Sequence, residues 1–350
     1  MFLFVLFYVT IYLFLIEKYK PSFLSFLPAF IIYFLVSGLQ FNVGTDYFNY
    51  ISLYFSDTNI HFSKKEYFFH YLLKSLKYLS LPAQSLFISI SFIQSILIFY
   101  YFKSIKHRGY VLWIFFFTFI CVTNIYNNQL NGLRQYVVVC FVPIMTLILY
   151  EKKYLWYLIC VLLATFFHSS AIFLVILIPI RFFYNILHRN IFITFILMPF
   201  FYMFMNGFLE SIVPSLFPQY IHYLDSAFSE GVDFSSYITK LYYLPGILYF
   251  YYLYKNTEES SNQTYFGFMI VIFSIFYWLF ITSNEIGIAS RIFVYFLFFY
   301  TFPIYYLLKK TFLQNKPFTF YILIVYVFLP YFLKVTFFAR GEFLYKNILF

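Results

Sequence analysis

Four short polar islands interrupt an otherwise apolar chain, and they carry most of the side chains that could do chemistry. They are Gly44–Tyr47, Asn131–Gln135, Phe167–Ser169 and Ser290–Arg291. Only 10% of the 350 residues are charged, whereas 63% are hydrophobic. Because an ionisable group at or near bilayer depth is costly, each one is a candidate for function. Together the islands offer arginine, histidine and carboxylate side chains.

These residue types fit the transfer of a sugar from a polyprenyl-pyrophosphate carrier. Such a donor is already activated, so it needs no nucleotide, but the departing pyrophosphate needs fixed cations. The guanidinium groups of Arg134 and Arg291 can hold phosphate oxygens in a bidentate fashion and do not lose their protons. The attacking sugar hydroxyl is a weak nucleophile, and Asp46, His168 or Glu66 is a candidate base for it.

No metal or nucleotide motif accompanies these residues. The histidines lack the spacing of a metal site, and the chain has no Asp-x-Asp run. Neither a glycine-rich phosphate loop nor a nucleophile elbow is present. The three cysteines lie in apolar segments, which indicates packing rather than a disulfide framework. We therefore expect no metal, no cofactor and no nucleic-acid partner.

Both arginines also have a structural interpretation. Arg134 lies near a span end and could reach the lipid headgroups with its long side chain. Its polar surroundings, which include Asn131 and Gln135, instead indicate a wet cavity at a helix entrance. Arg291 follows Glu285 and could form an ion pair with it rather than bind a ligand.

The proton-accepting candidates have structural alternatives as well. His168 could be a hydrogen-bonded packing residue. Asp46 follows a glycine and could cap a short helix or serve as a turn residue. Glu66 at the head of a helix would complement the helix dipole, and Lys64 and Lys65 beside it would contact headgroups. The sequence leaves open which of these side chains is the base.

The elements that must position the islands are membrane-spanning helices. Apolar runs of roughly 17 to 25 residues, long enough to cross a bilayer, recur from end to end. We predict an all-α fold, a polytopic transmembrane helical bundle with about twelve spans, as a single integral membrane domain over residues 1–350. The predicted spans are 1–16, 22–40, 83–102, 110–126, 132–150, 154–167, 169–183, 191–216, 239–254, 265–283, 288–308 and 318–339.

The segment 66–80 differs from the spans. It carries Lys74 and Lys77 on an apolar background, which predicts an amphipathic helix lying in the membrane interface within the first large outer loop. Basic residues cluster in alternate short loops, and the positive-inside rule places those loops in the cytoplasm. All four polar islands then fall on the outer side of the membrane.

The stretch from Tyr154 to Phe183 has basic residues at both ends. If it crosses the membrane twice, His168 lies at the outer tip of a tight helical hairpin. One long tilted helix is the alternative, and it would place Arg181 on the outer side.

In order along the chain, these motifs resemble the EpsG family, the Wzy-like membrane proteins of exopolysaccharide, capsule and O-antigen gene clusters. The residues that carry the resemblance are Gly44–Tyr47 with Tyr50, Glu66-Tyr67, Arg134-Gln135, Phe167–Ser170, and Ser290-Arg291 with Tyr295. It covers residues from about 35 to 300. One departure concerns the residues before the first island, where relatives often carry an arginine and this chain has Gln40, Phe41 and Asn42.

The resemblance implies polymerisation of lipid-linked oligosaccharide repeat units at the outer face of the bacterial cytoplasmic membrane. The growing glycan would pass from its undecaprenyl pyrophosphate onto the next lipid-linked unit. The implied partners are that lipid-linked oligosaccharide, membrane lipids, a chain-length regulator and a flippase. The catalytic candidates are Asp46, His168 and Glu66. The candidates for binding pyrophosphate or glycan are Arg134, Gln135, Arg291, Tyr47 and Asn131.

Two other functions share this inventory of residues. A flippase for the same lipid-linked sugars should carry charges along a path through the bilayer and show two related halves. This chain has few mid-span charges and no visible repeat, which favours the polymerase. A ligase that transfers surface glycans would use the same donor chemistry, and the sequence does not separate it from a polymerase.

Overall fold

The computed structural model describes residues 1–19, 22, 24–56, 59–216, 241–255, 264–282 and 292–348, with side chains over the same ranges except 205–216 and 280–282. The helices in the first half of the chain are α1 Phe2–Leu15, α2 Leu27–Gly38, α3 Tyr47–Phe55, α4 Ile60–Ser63, α5 Tyr67–Tyr78, α6 Gln84–Lys106, α7 Leu112–Thr123, α8 Ile125–Asn128, α9 Leu133–Tyr150 and α10 Tyr154–Thr165. Those in the second half are α11 Leu177–Phe182, α12 Tyr184–Arg189, α13 Ile191–Leu216, α14 Leu244–Tyr254, α15 Tyr265–Thr282, α16 Thr301–Leu313 and α17 Pro317–Thr336.

The described residues confirm the all-α prediction. They form no strand, and an isolated antiparallel bridge joins Gln40 to Asn347. Every predicted apolar segment contains helix in its described part. Within the part of the chain that the structure describes, three helices are long and apolar enough to cross a membrane, namely α6, α9 and α17, and seven other apolar stretches are shorter. The number of spans and the interfacial position of α5 stay predictions.

The segment 110–126 is not the continuous helix that its composition predicts. The helix α7 ends at Thr123 because Asn124 adopts the left-handed conformation with φ of +53°. The hydroxyl of Thr123 accepts a hydrogen bond from the backbone N–H of Ile125 at 3.2 Å, which stabilises the break. Asparagine tolerates this backbone conformation better than most residues. The break begins the polar stretch that leads to the start of α9.

By its internal contacts the chain divides into two compact units. The first comprises Met1–Ile148, Lys153–Ile172 and Leu308–Phe350, and the second comprises Leu149–Lys152 and Phe173–Leu307. Every predicted site residue that the structure describes lies in the first unit. The single integral domain stays a prediction.

In the first unit, α1 packs against α2 and α7, α2 packs against α6, and α17 packs against α7. Helices in lipid associate through close packing and interhelical hydrogen bonds rather than through the hydrophobic effect. A polar contact ties one end of this group together. The carboxylate of Glu17, just after α1, binds the ammonium of Lys106 at the end of α6 and accepts the backbone N–H of Leu112 at 3.1 Å.

In the second unit, a buried arginine joins two parts of the chain. Arg181 donates from Nε and Nη2 to the carbonyl of Tyr150, at 3.3 and 3.1 Å, and its guanidinium faces the rings of Tyr150, Tyr184 and Phe268. A cation suits the carbonyl end of a helix. The chain therefore turns back between Tyr150 and Arg181, as the two-crossing alternative for 154–183 requires. Whether this segment crosses the membrane stays a prediction.

Candidate functional site

The first polar island forms a turn that the second island holds. The backbone N–H of Asp46 donates to Oδ1 of Asn131 at 2.8 Å, and the Thr45 hydroxyl lies 3.5 Å from the same oxygen. Gly44 has φ of +78°, and a Cβ added there would lie 2.4 Å from that oxygen. Glycine is therefore required both for the left-handed backbone and for the close approach of Asn131. The structure thus brings Asp46 and Asn131 together, although they are far apart in the sequence.

Replacing Gly44 with alanine should destabilise the protein more than the same change at Gly109. Both glycines have almost the same φ, +78° and +79°, but a Cβ at Gly109 would meet nothing within 4 Å. Each alanine costs about 1–2 kcal/mol of left-handed strain. Gly44→Ala must also displace Asn131 from Asp46, which adds about 1–2 kcal/mol. Thermal unfolding of the purified protein in detergent measures the difference. Equal losses at the two sites would contradict the role given to Asn131.

Asp46 and Tyr47 have different surroundings although they are adjacent. Asp46 precedes α3 as its N-cap residue, but its half-buried carboxylate makes no capping hydrogen bond. Tyr47 is buried, its ring stacks on Phe87 at 4.7 Å, and its hydroxyl donates to Oε1 of Gln84 at 3.3 Å. Because the ring and the hydroxyl of Tyr47 are both used within the protein, the structure favours a positioning role for Tyr47 over direct contact with substrate.

Glu66 is the centre of the site, and its side chain is 1% exposed. Its Oε2 accepts a hydrogen bond from Nη1 of Arg134 and lies 2.7 Å from Nδ1 of His61. Its Oε1 lies 3.0 Å from Nδ1 of His168 and 3.4 Å from the backbone nitrogen of Ser169. We call Glu66, His61, Arg134 and His168 the Glu66 cluster. Three of its four members are residues that the sequence predicted for the site.

Local backbone geometry brings the Glu66 cluster together. After α4, Lys65 adopts a positive φ of 60°, and the N–H of Glu66 donates to the carbonyl of His61 at 2.8 Å. This closed turn sets the side chains of His61 and Glu66 beside each other. At the start of α5 the N–H of Phe68 donates to the carbonyl of Phe166 at 3.0 Å. That bond docks α5 on the segment after α10, which carries His168.

The Glu66 cluster packs against a buried apolar core. Phe69 is fully buried; its ring lies 5.3 Å from Cζ of Arg134 and 4.9 Å from the ring of His61. The first of these contacts is a cation–π interaction. The same core joins α3, α5, α6 and α9, and its members include Tyr50, Leu73, Phe87, Leu133 and Val137. The helix starts that carry Glu66 and Arg134 are thereby held at a fixed separation.

The environment of Glu66 keeps its carboxylate ionised. Burial by itself would raise the pKa of Glu66, but hydrogen bonds from His168 and His61 and the positive charge of Arg134 outweigh burial, and the pKa falls well below the usual range of a carboxyl group. The positive charge of Arg134 offsets the negative charge of Glu66. Burial also raises the pKa of Tyr50, and the nearby charge of Arg134 opposes that shift.

Arg134 is anchored on Glu66 without using its whole guanidinium group. Nη1 contacts the carboxylate, the guanidinium also hydrogen-bonds the hydroxyl of Tyr50, and Nε is enclosed with no hydrogen-bond partner among the described residues. The side chain as a whole is 22% exposed. A buried donor without a partner is costly and uncommon. This guanidinium therefore has capacity left for an anionic ligand.

The remaining predicted site residues are Gln135 and Arg291. Gln135 follows Arg134 at the start of α9 and is half-buried. Arg291 lies in 283–291, outside the described residues, so its position relative to Arg134 stays a prediction. Within the described ranges no group of three His, Cys, Asp or Glu side chains is arranged to hold a metal ion.

Sequence reasoning missed His61. It lies five residues before Glu66 in the same outer loop, and that short spacing is the signal that could have found it. The spacing alone does not show that the two side chains meet, because their contact depends on the backbone turn at Lys65.

Comparison with known proteins identifies the family. A protein-family model described as the EpsG family matches residues 23–347. The chain belongs to the EpsG family. The resemblance inferred from the polar islands is thereby confirmed, and the matched range contains the whole Glu66 cluster. Membership associates this EpsG-family protein with exopolysaccharide polymerisation and with a lipid-linked substrate in a membrane. No curated protein and no solved structure matches the chain.

Proposed function

We propose that this EpsG-family protein polymerises oligosaccharide repeat units carried on undecaprenyl pyrophosphate, at the exoplasmic face of the bacterial cytoplasmic membrane. In the reaction, a hydroxyl of the incoming lipid-linked unit attacks the anomeric carbon of the growing glycan. The bond from that carbon to the pyrophosphate breaks, and its electron pair stays on the departing oxygen. The hydroxyl proton passes to a base in the protein.

The anchoring of Arg134 on Glu66 is the observation that carries this proposal. The guanidinium that Glu66 and Tyr50 hold is oriented before the ligand arrives, so less freedom is lost when its remaining donor capacity binds phosphate oxygens. Arg134 also keeps a partly exposed side chain at the start of α9. In this proposal Gln135 and Arg291 are further candidates for binding the pyrophosphate, and Asn131 is a candidate for binding the glycan.

His168 is the base that this arrangement favours. Because Glu66 is ionised and can only accept, Nδ1 of His168 carries the proton directed at it, and the basic lone pair is on Nε2. The His168 side chain is 14% exposed, against 1% for Glu66. When Nε2 accepts the hydroxyl proton, the cluster gains a positive charge as the pyrophosphate departs. Glu66 itself has too low a pKa to be an effective base. Asp46 is the alternative base.

Reconstitution of the purified protein in lipid nanodiscs tests the function. With undecaprenyl-pyrophosphate-linked repeat units as the sole substrate, we expect a ladder of longer lipid-linked glycans and release of one undecaprenyl pyrophosphate for each linkage formed. In sealed vesicles, movement of unjoined units across the bilayer without any ladder would instead show a flippase. Transfer only onto a different acceptor would show a ligase.

A further inference from the structure

His61 is the more enclosed of the two histidines in the Glu66 cluster. Its side chain is 6% exposed, whereas that of His168 is 14% exposed. Its ring lies nearly perpendicular to the ring of Phe69, with centroids 4.9 Å apart, and Phe69 is fully buried. Its Nδ1 lies 2.7 Å from Oε2 of Glu66 and 2.8 Å from Nη1 of Arg134. His61 thus contacts both members of the ion pair.

The single nitrogen Nδ1 cannot satisfy both neighbours at once. A carboxylate only accepts hydrogen bonds and a guanidinium only donates them, so a protonated Nδ1 suits Glu66 and a deprotonated Nδ1 suits Arg134. Glu66 is ionised, and a hydrogen bond from His61 contributes to its low pKa. The proton therefore belongs on Nδ1. In that state His61 and Arg134 donate side by side to Oε2 of Glu66, and each limits the angle at which the other can approach.

We propose that His61 is a positioning residue: its Nδ1–H fixes the Glu66 carboxylate, and through it the angle at which Arg134 presents its guanidinium to the pyrophosphate. This inference rests on the proposed function and deepens it. It assigns different roles to the two histidines that contact the Glu66 carboxylate. His168 exchanges a proton with the substrate through Nε2, and His61 uses Nδ1 alone. Only the first role requires an imidazole.

Matched asparagine and glutamine substitutions separate the two roles. The amide nitrogen of asparagine can take the place of Nδ1, and that of glutamine the place of Nε2. We expect His61→Asn to retain polymerisation within about threefold of wild type, because one charge-assisted hydrogen bond is kept. We expect His61→Gln to raise KM for the lipid-linked donor about ten- to a hundredfold, with a smaller change in kcat. We expect His168→Asn to lose kcat by about a hundredfold or more with little change in KM.

The pH dependence of kcat supplies the decisive readout. In His61→Asn the ionisation that limits kcat should be the same as in wild type, and in His168→Asn it should be absent. If His61→Asn fails to fold, loses kcat as severely as His168→Asn, or removes that ionisation, the positioning role is wrong. Size-exclusion chromatography in detergent establishes that each variant is folded.

A stability measurement distinguishes failure of this inference from failure of the proposed function. A double-mutant cycle between His61→Gln, which loses the Nδ1 donor, and Glu66→Gln, with thermal unfolding as its readout, needs no substrate. We expect the two changes to be non-additive, because the residues are in direct contact. Additive effects would overturn the inference even if the polymerase is real. Non-additive effects together with no polymerisation by the wild-type protein would overturn the function alone.

Discussion

Replacement of Arg134 by lysine should abolish long-chain polysaccharide while the protein stays folded in the membrane. Lysine keeps the positive charge, so its ammonium can still pair with Glu66. It lacks the planar fork, and it cannot bind the carboxylate with one nitrogen while presenting the others to pyrophosphate. We expect the rate of polymerisation to fall about a hundredfold, which corresponds to ~2.7 kcal/mol of lost transition-state stabilisation. Glycan ladders from cells that carry the variant as their sole copy give the readout.

Arg189→Lys is the matched control for this change. Arg189 is the exposed last residue of α12 in the second unit, so its substitution should leave the ladder unchanged. Under the proposed function Arg291→Lys should cause a loss similar to that of Arg134→Lys. Normal chain length in both Arg134→Lys and Arg291→Lys, with normal amounts of protein, would rule out bidentate binding of pyrophosphate by these residues.

The sequence shows where polar groups interrupt the helices, but it does not show which of them meet. The contact between Arg134 and Glu66 joins residues 68 positions apart, and that between His168 and Glu66 joins residues 102 positions apart. Their meeting depends on how α5 packs on α9 and on the segment after α10. That packing is set by apolar side chains such as Phe69, whose neighbours cannot be known from hydropathy alone.

Burial is the physical reason why we propose other roles for two of the predicted site residues. As an isolated carboxylate at a helix start, Glu66 is a reasonable base, but three donors around an enclosed carboxylate hold it ionised and make it a fixed counter-charge. Tyr47 belongs to the same short motif as Asp46. Successive side chains of a helix point about 100° apart around its axis, and Tyr47 points into the core. A motif in the sequence does not record which of its members is buried in the core.

Replacement of Glu66 by glutamine should be the most damaging single change at this site. Glutamine has nearly the same shape, but it removes the counter-charge of Arg134 and presents an amide N–H to groups that donate hydrogen bonds. Breaking a buried ion pair from one side costs about 3–5 kcal/mol. Because Arg134 is partly exposed, we expect a loss near the lower end, about 3 kcal/mol. Polymerisation should fall at least as far as in Arg134→Lys, because Arg134 and His168 both lose their anchor.

Glu17→Gln is the control, since it removes another carboxylate of the first unit, one that pairs with Lys106 and is 23% exposed. It should cost no more than about 1 kcal/mol and leave polymerisation unchanged.

The effect of pH then tests whether Glu66 is ionised. A carboxyl group whose pKa is lower in the folded state contributes stability above its unfolded pKa, about 4.3, and loses it as the pH falls toward the folded pKa. The difference in melting temperature between wild type and Glu66→Gln should therefore be no smaller at pH 5 than at pH 7, because the carboxylate also favours protonation of the imidazoles beside it. If it vanishes at pH 5, burial dominates, Glu66 is protonated there, and a fixed anion at the centre of the site is excluded.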